Sequence, residues 1–383
     1  MHHSIFYKRP DHYVIGPVPR LLADGRLAVL VLVSPFADHY GLDKRVVLVS
    51  TDQGATFQES EDPAIPFTWP ASNVRECYDR FADVMPDGSY VAAGTVGFET
   101  WPIARRAEAE ALGLSVRDHP NRRGKEVVVG MPKLFVQRSQ DQGRTWQRQE
   151  WHVPGFSWLT AFPRWVRLTD GTILLPIYGR NPDYSRGQTF VFRSNTRGED
   201  WQLIPMAASI SGVDGDEVGL IEVAPGRVLA LIRHAAKGKL TEGHLLESWS
   251  EDGGRTWSQP LGTTIKGYPP NILRLQDGRV LCAVTYRWEP MGIRAVLSND
   301  DGRTWDSANP IILRDDGGTV SSLWHSAVGH EPGRGGSDLG YPITVQFADG
   351  SLFTCYWFTG TDGITHAAAT RWRVVSTSST TGD

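Results

Sequence analysis

Short, almost continuously apolar runs recur along this chain, and each follows the same punctuation. Arg26 to Val33 and Arg227 to Ile232 are two examples. The punctuation is an apolar residue, a variable residue and Asp-Gly. It stands at Asp24-Gly25, Asp87-Gly88, Asp170-Gly171, Asp277-Gly278 and Asp349-Gly350, with Pro225-Gly226 as a variant, six in all. Asp-Gly suits a two-residue hairpin turn that needs positive φ. Runs of this kind read as strands buried on both faces.

A second pattern, Ser-x-Asp-x-Gly-x-Thr-Trp, alternates with the first. It is complete at Ser139 to Trp146, Ser250 to Trp257 and Ser298 to Trp305. Phe57 replaces the Trp in Ser50 to Phe57, and Thr196 replaces the Asp in Ser194 to Trp201. This is an Asp box. Its carboxylate can bond the turn's own N–H groups, its Gly can take a conformation closed to other residues, and its Trp can plug the space between neighbouring sheets. Five boxes in phase with six Asp-Gly turns mark a repeat. The predicted unit runs inner strand, Asp-Gly turn, second strand, third strand, Asp box, outer strand. Six such units give an all-β, six-bladed β-propeller of four-stranded antiparallel blades, which leaves few exposed sheet edges.

One such propeller is expected over 1–375, followed by a low-complexity, disordered tail at 376–383. The sixth unit lacks a box. Its third strand is expected in Gly363 to Val375, with an N-terminal strand near Ile5 to Val14 completing the ring. Two insertions stand out, at about 101–133 and 317–338. The first carries a helical stretch, Ile103 to Leu112, and the second is Gly-rich with His325 and His330. Each reads equally well as part of a binding rim or as surface decoration.

Composition changes this picture little. Hydrophobic residues are 40% and charged residues 21%, a globular balance. The net charge of −4 argues against nucleic acid or an anionic membrane as partner. Arg outnumbers Lys 32 to 7, which suits an acidic ligand or reflects compositional bias. The three cysteines are widely spaced, so neither a disulfide framework nor a zinc site is expected, and Cys282 and Cys355 read as buried thiols. No metal-binding, phosphate-loop or nucleophile-elbow motif occurs, so no cofactor and no metal are expected. Without a leader-like start or a long apolar run, a cytoplasmic location is expected unless a leader was removed.

Catalytic groups are expected where the inner strands converge, since the boxes lie far from the axis. Eight residues before each turn stand Gly16, Asp79, Phe162, Glu217, Pro269 and Tyr341. Three polar groups at equivalent axial positions are hard to explain by packing alone.

At these residues the chain resembles the sialidase (neuraminidase) superfamily. The stretch Asp216 to Gly226 is similar to the segment carrying that family's catalytic Glu, and Gly340-Tyr341-Pro342 to the segment carrying its nucleophilic Tyr. Arg233 and Arg287 match two members of its carboxylate-binding Arg triad, with Arg294 as a further substrate-binding candidate. Asp38, in Asp38-His39-Tyr40-Gly41, falls on the loop of the acid/base Asp. The resemblance implies an exo-glycosidase that hydrolyses a terminal sialic acid or related acidic sugar. Tyr341 would act as nucleophile, Glu217 as its base and Asp38 as acid/base, with retention of configuration. One position departs from the family: Ile15 stands where the first triad Arg belongs, and Arg9 and Arg20 have the wrong spacing. Asp79 and Arg80 fall outside the family pattern. They read either as substrate-binding residues, with Asp79 as an alternative acid, or as part of a salt-bridged rim with Arg75. Two other functions stay open: a propeller glycosidase or polysaccharide lyase on a different sugar, and a non-catalytic carbohydrate-binding propeller.

Overall fold

The structure, a computed structural model, describes residues 1–35, 44–62, 65, 74–78, 82–119, 122–162, 164–182, 187–206, 213–236, 243–323 and 339–374. Six antiparallel sheets form the blades of a propeller. Blade four shows the plan. Inner strand Val213–Ala224 turns at Pro225-Gly226 into Arg227–Ala236, which pairs with His244–Ser250 and then Leu261–Lys266. The second strands are the most buried, in keeping with their apolar runs: every residue of Leu27–Ser34 is buried.

Ring closure departs from expectation in its register. The closing strand is His2–Tyr7, which pairs with Thr365–Trp372 as the outer strand of blade six. Residues beyond it are needed elsewhere, because Tyr13–Leu21 is the inner strand of blade one. The seam is dry. Tyr13, Leu30 and Val31 from blade one pack in one cluster with Phe353, Cys355 and Ala367 from blade six. The expected third strand of blade six is Thr365–Trp372, and the helical stretch resolves into a 3-10 turn, Ile103–Arg105, and a short helix, Arg106–Ala111. Cys282 and Cys355 are buried free thiols. The segment 324–338, with both its histidines, and the tail from 375 lie outside the described residues. Among the described residues no helix is long and apolar enough to cross a membrane.

The Asp boxes are hydrogen-bonded units. In the first, Asp52 accepts from the Thr56 backbone N–H at 2.9 Å and from its hydroxyl at 2.7 Å, while Ser50 Oγ accepts from Gly54 N–H at 2.8 Å. Gly54 has φ +80°, and a Cβ there would lie 2.5 Å from Phe353 of the preceding blade. The box glycine therefore answers two demands at once, a left-handed backbone and a close blade-to-blade approach. Trp257 and Trp305 pack against the neighbouring blades' strands, as the plug role requires. In the degraded box Asn195 takes over from the lost Asp: its Oδ1 accepts from the N–H groups of Arg197 at 3.0 Å and Glu199 at 3.3 Å.

These bonds have a consequence in acid. The Thr hydroxyl and N–H bonds hold Asp52 and Asp141 at about 2. Burial opposes the charge of Asp252, but the same bonds outweigh it and hold that carboxyl at about 2 as well. A carboxylate depressed by folding adds stability above its unfolded pKa of about 3.9 and loses it as pH falls toward the folded value. The thermal midpoint should therefore be flat near neutrality and drop between about pH 4 and pH 2. Asp141→Asn should flatten part of that drop; an unchanged acid profile would remove the boxes as its source.

Candidate active site

Glu217 and Tyr341 both sit on bulges of inner strands. In blade four, Gly215 pairs with His234 and Val218 with Ile232, so Asp216 and Glu217 together oppose the single residue Arg233. In blade six, Gly340 pairs with Trp357 and Ile343 with Cys355, so Tyr341 and Pro342 oppose Tyr356. Blade one repeats the device at Gly16 and Pro17. A bulge breaks the alternation of the strand and re-aims side chains, here toward the axis.

Tyr341 is held under strain. Its φ is +54°, unusual for a residue with a bulky side chain. The conformation is fixed from several directions. The Tyr341 N–H donates to Thr285 Oγ1 at 2.9 Å. Its ring stacks on Trp357 at 4.6 Å and 18° and meets the edge of Phe162 at 5.3 Å. Gly340, at φ +152°, leaves no room for a side chain, since a Cβ would lie 2.9 Å from Thr285 Oγ1 and 3.3 Å from Arg287 Nη2.

So placed, the Tyr341 hydroxyl donates to Glu217 Oε1 at 2.7 Å. Arg233 Nη1 lies 3.0 Å from both oxygens of Glu217 and 3.4 Å from the Tyr341 hydroxyl. Burial, and then the Glu217 carboxylate, push the Tyr341 phenol well above its ordinary value. Burial opposes the charge of Arg233, but Glu217 and Tyr341 outweigh it and the net direction is upward. Arg287 behaves in the opposite way. Burial and the neighbouring Arg233 both disfavour its charge, and its buried Nε has no hydrogen-bond partner among the described residues. The Tyr268 ring lies beside both cations, 4.5 Å from the Arg233 guanidinium carbon and 5.8 Å from that of Arg287. Next to Glu217, Asp216 is bonded by Arg180 at 3.0 Å.

A family model described as a BNR repeat-like domain matches residues 100–354. The chain belongs to this family. Solved BNR-type propellers share its fold across almost the whole chain. A protein of unknown function from Dyadobacter fermentans superimposes with a TM-score of 0.73 at 21% identity, covering 98% of each chain. The NanB sialidase from Streptococcus pneumoniae gives 0.57 at 13%, covering 97% of this chain and 70% of that one. An α-L-arabinanase from Penicillium chrysogenum gives 0.58 at 11%, covering 97% and 98%. At such identities the likeness is one of fold. No curated protein matches the sequence.

Within this BNR propeller, four of the residues singled out from sequence meet: Tyr341, Glu217, Arg233 and Arg287. Arg294 is placed elsewhere, with its guanidinium over the Tyr286 ring at 3.2 Å and Nη2 3.5 Å from the carbonyl of Pro290. Asp38, Asp79 and Arg80 lie outside the described residues. Ile15 is buried in the seam between blades one and six. Arg20 is paired with Asp83, and Arg9 with the Tyr7 hydroxyl, so neither stands in for it. Sequence reasoning passed over Tyr268, Thr285 and Trp357. Tyr268 had a usable signal, since it directly precedes Pro269, the axial position of unit five. Thr285 and Trp357 sit in apolar runs and carried none.

Proposed function

We propose that this protein is a retaining exo-glycosidase that removes a terminal acidic sugar, a sialic acid or a close relative. The observation that carries the reading is the 2.7 Å hydrogen bond from the Tyr341 hydroxyl to Glu217, with Arg233 against both and Arg287 beside them lacking a partner at Nε among the described residues. A carboxylate nucleophile would be repelled by a substrate carboxylate next to the anomeric carbon, whereas a phenol is neutral until the moment of attack. Glu217 takes the phenolic proton as the Tyr341 oxygen bonds to the anomeric carbon. The Arg233 charge offsets the developing phenolate. An acid, proposed to be Asp38 with Asp79 as the alternative, protonates the leaving oxygen. It then activates the water that hydrolyses the glycosyl-tyrosine, so configuration is retained. Arg287 engages the substrate carboxylate through charge-assisted bonds.

A second reading rests on Ile15. With an aliphatic residue in place of the first triad Arg, two arginines instead of three face the carboxylate, and a different sugar becomes the substrate of the same Tyr341–Glu217 pair. The two readings separate on 4-methylumbelliferyl glycosides of sialic acid and of α-L-arabinofuranose. Turnover of the sialoside supports the first reading. Turnover of the arabinoside alone transfers the proposal to the second. Inertness toward these and a wider panel of acidic and deoxy sugars leaves a carbohydrate-binding role.

A further inference from the structure

Beneath the tyrosine the inner strands line a partly open cavity of about 530 Å³. Its walls are the stretches just after the catalytic level, such as Val218 to Leu220 and Thr344 to Gln346, and it runs toward the Asp-Gly end of the blades. Neither Glu217 nor Tyr341 lines it.

The charge on its walls is unbalanced. Among the described residues Arg20, Arg164, Arg167 and Arg274 line it against one carboxylate, Asp83. That carboxylate is shared, with Arg20 Nη2 at 2.5 Å and Arg167 Nη2 at 3.4 Å. Arg274 is satisfied by the Val223 and Gly278 carbonyls and by Asp301 at 2.9 Å. The half-buried Arg164 makes no hydrogen bond or ion pair among the described residues. Its side chain lines the cavity, which Tyr341 does not reach, and its charge is felt at the buried Cys355 thiol. On another wall Asn271 Oδ1 is taken by the Thr344 N–H at 2.9 Å, which leaves the Asn271 NH₂ to donate. Arg164 and the Asn271 NH₂ are thus unused donors on a lining that is net positive among the described residues, and low-dielectric walls focus such a field. The volume exceeds the share of a single water, about 30 Å³, many times over.

We propose that this cavity binds a small oxyanion of the phosphate or sulfate class, free or as the end group of a small metabolite, on Arg164 and Asn271. The guanidinium fork offers two parallel donors to such a group, and the amide a third from a different direction. This site is separate from the arginines beside Tyr341 and does not depend on the glycosidase reading.

Calorimetric titration and thermal shift test it on the whole chain, with inorganic phosphate, sulfate and glycerol phosphate against sodium chloride at equal ionic strength. The wild type should bind at least one of the three and gain thermal stability over chloride. Preference for the ester identifies a metabolite end group, preference for the free ions identifies the ion itself, and both support the site. Arg164→Gln should weaken binding by about tenfold or more. Arg164→Lys, which keeps the charge but loses the fork, should fall between and guards against a folding failure of the first variant. Arg287→Gln should bind as the wild type does. No gain over chloride overturns the proposal. So does loss in Arg287→Gln with retention in Arg164→Gln, which would move the anion to the tyrosine.

Discussion

Replacing Tyr341 by phenylalanine is expected to lower kcat by about three orders of magnitude or more, with KM nearly unchanged and the protein still folded. The substitution removes one atom, and that atom is the proposed nucleophile. What positions the ring survives it: the stack on Trp357, the edge contact with Phe162 and the backbone bond to Thr285 involve no hydroxyl. Glu217 keeps both contacts from Arg233 at 3.0 Å, so the carboxylate is not left unpaired. Steady-state kinetics on the best glycoside, with circular dichroism as the folding control, read the result. A variant within about tenfold of the wild type would remove Tyr341 as nucleophile and leave Glu217 as the candidate.

The second large effect is on stability. Glu217→Ala is expected to cost about 3 kcal/mol or more, beyond its effect on turnover. Glu217 is the counter-ion of Arg233, and the side chains are 5% and 25% exposed. Arg287 stands close enough to Arg233 for their charges to oppose each other. Removing the carboxylate leaves two neighbouring guanidinium groups with little water to compensate them. The double variant Glu217→Ala/Arg233→Met should recover part of the loss, because it removes the stranded charge together with its partner. Urea denaturation of the two single variants and the double variant measures the coupling. Strict additivity would mean that the ion pair does not hold this end of the ring together.

The legible part of the molecule was the part built from local rules. An Asp-Gly turn and an Asp box each depend on a few consecutive residues, because their bonds run from Asp52 to Thr56 or from Ser50 to Gly54. Blade number and strand order therefore follow from counting. The common distance to the turn also placed Glu217 and Tyr341 at one level of the ring. Errors arose where two local readings competed. The apolar run that begins at Tyr13 could serve either end of the chain, and only the requirement that blade one have an inner strand assigns Tyr13–Leu21 to it. The degraded third box hid its repair, because Asn195 bonds from a position the motif does not name.

Local patterns in the sequence were enough for the repeat, the six blades and the axial level of Tyr341 and Glu217, since each rests on residues a few positions apart, whereas Arg233 and Arg287 came from the family resemblance. Tertiary structure alone decided which of them touch. Glu217 and Tyr341 are 124 residues apart and bond only because blades four and six, on either side of blade five, converge on the axis, with bulges on both strands re-aiming the side chains. Among the described residues, the positive φ of Tyr341, the partnerless Nε of Arg287 and the excess of arginine around the axial cavity arise in the same way. No short stretch of chain encodes them, because each depends on how close the closed ring brings side chains from different blades.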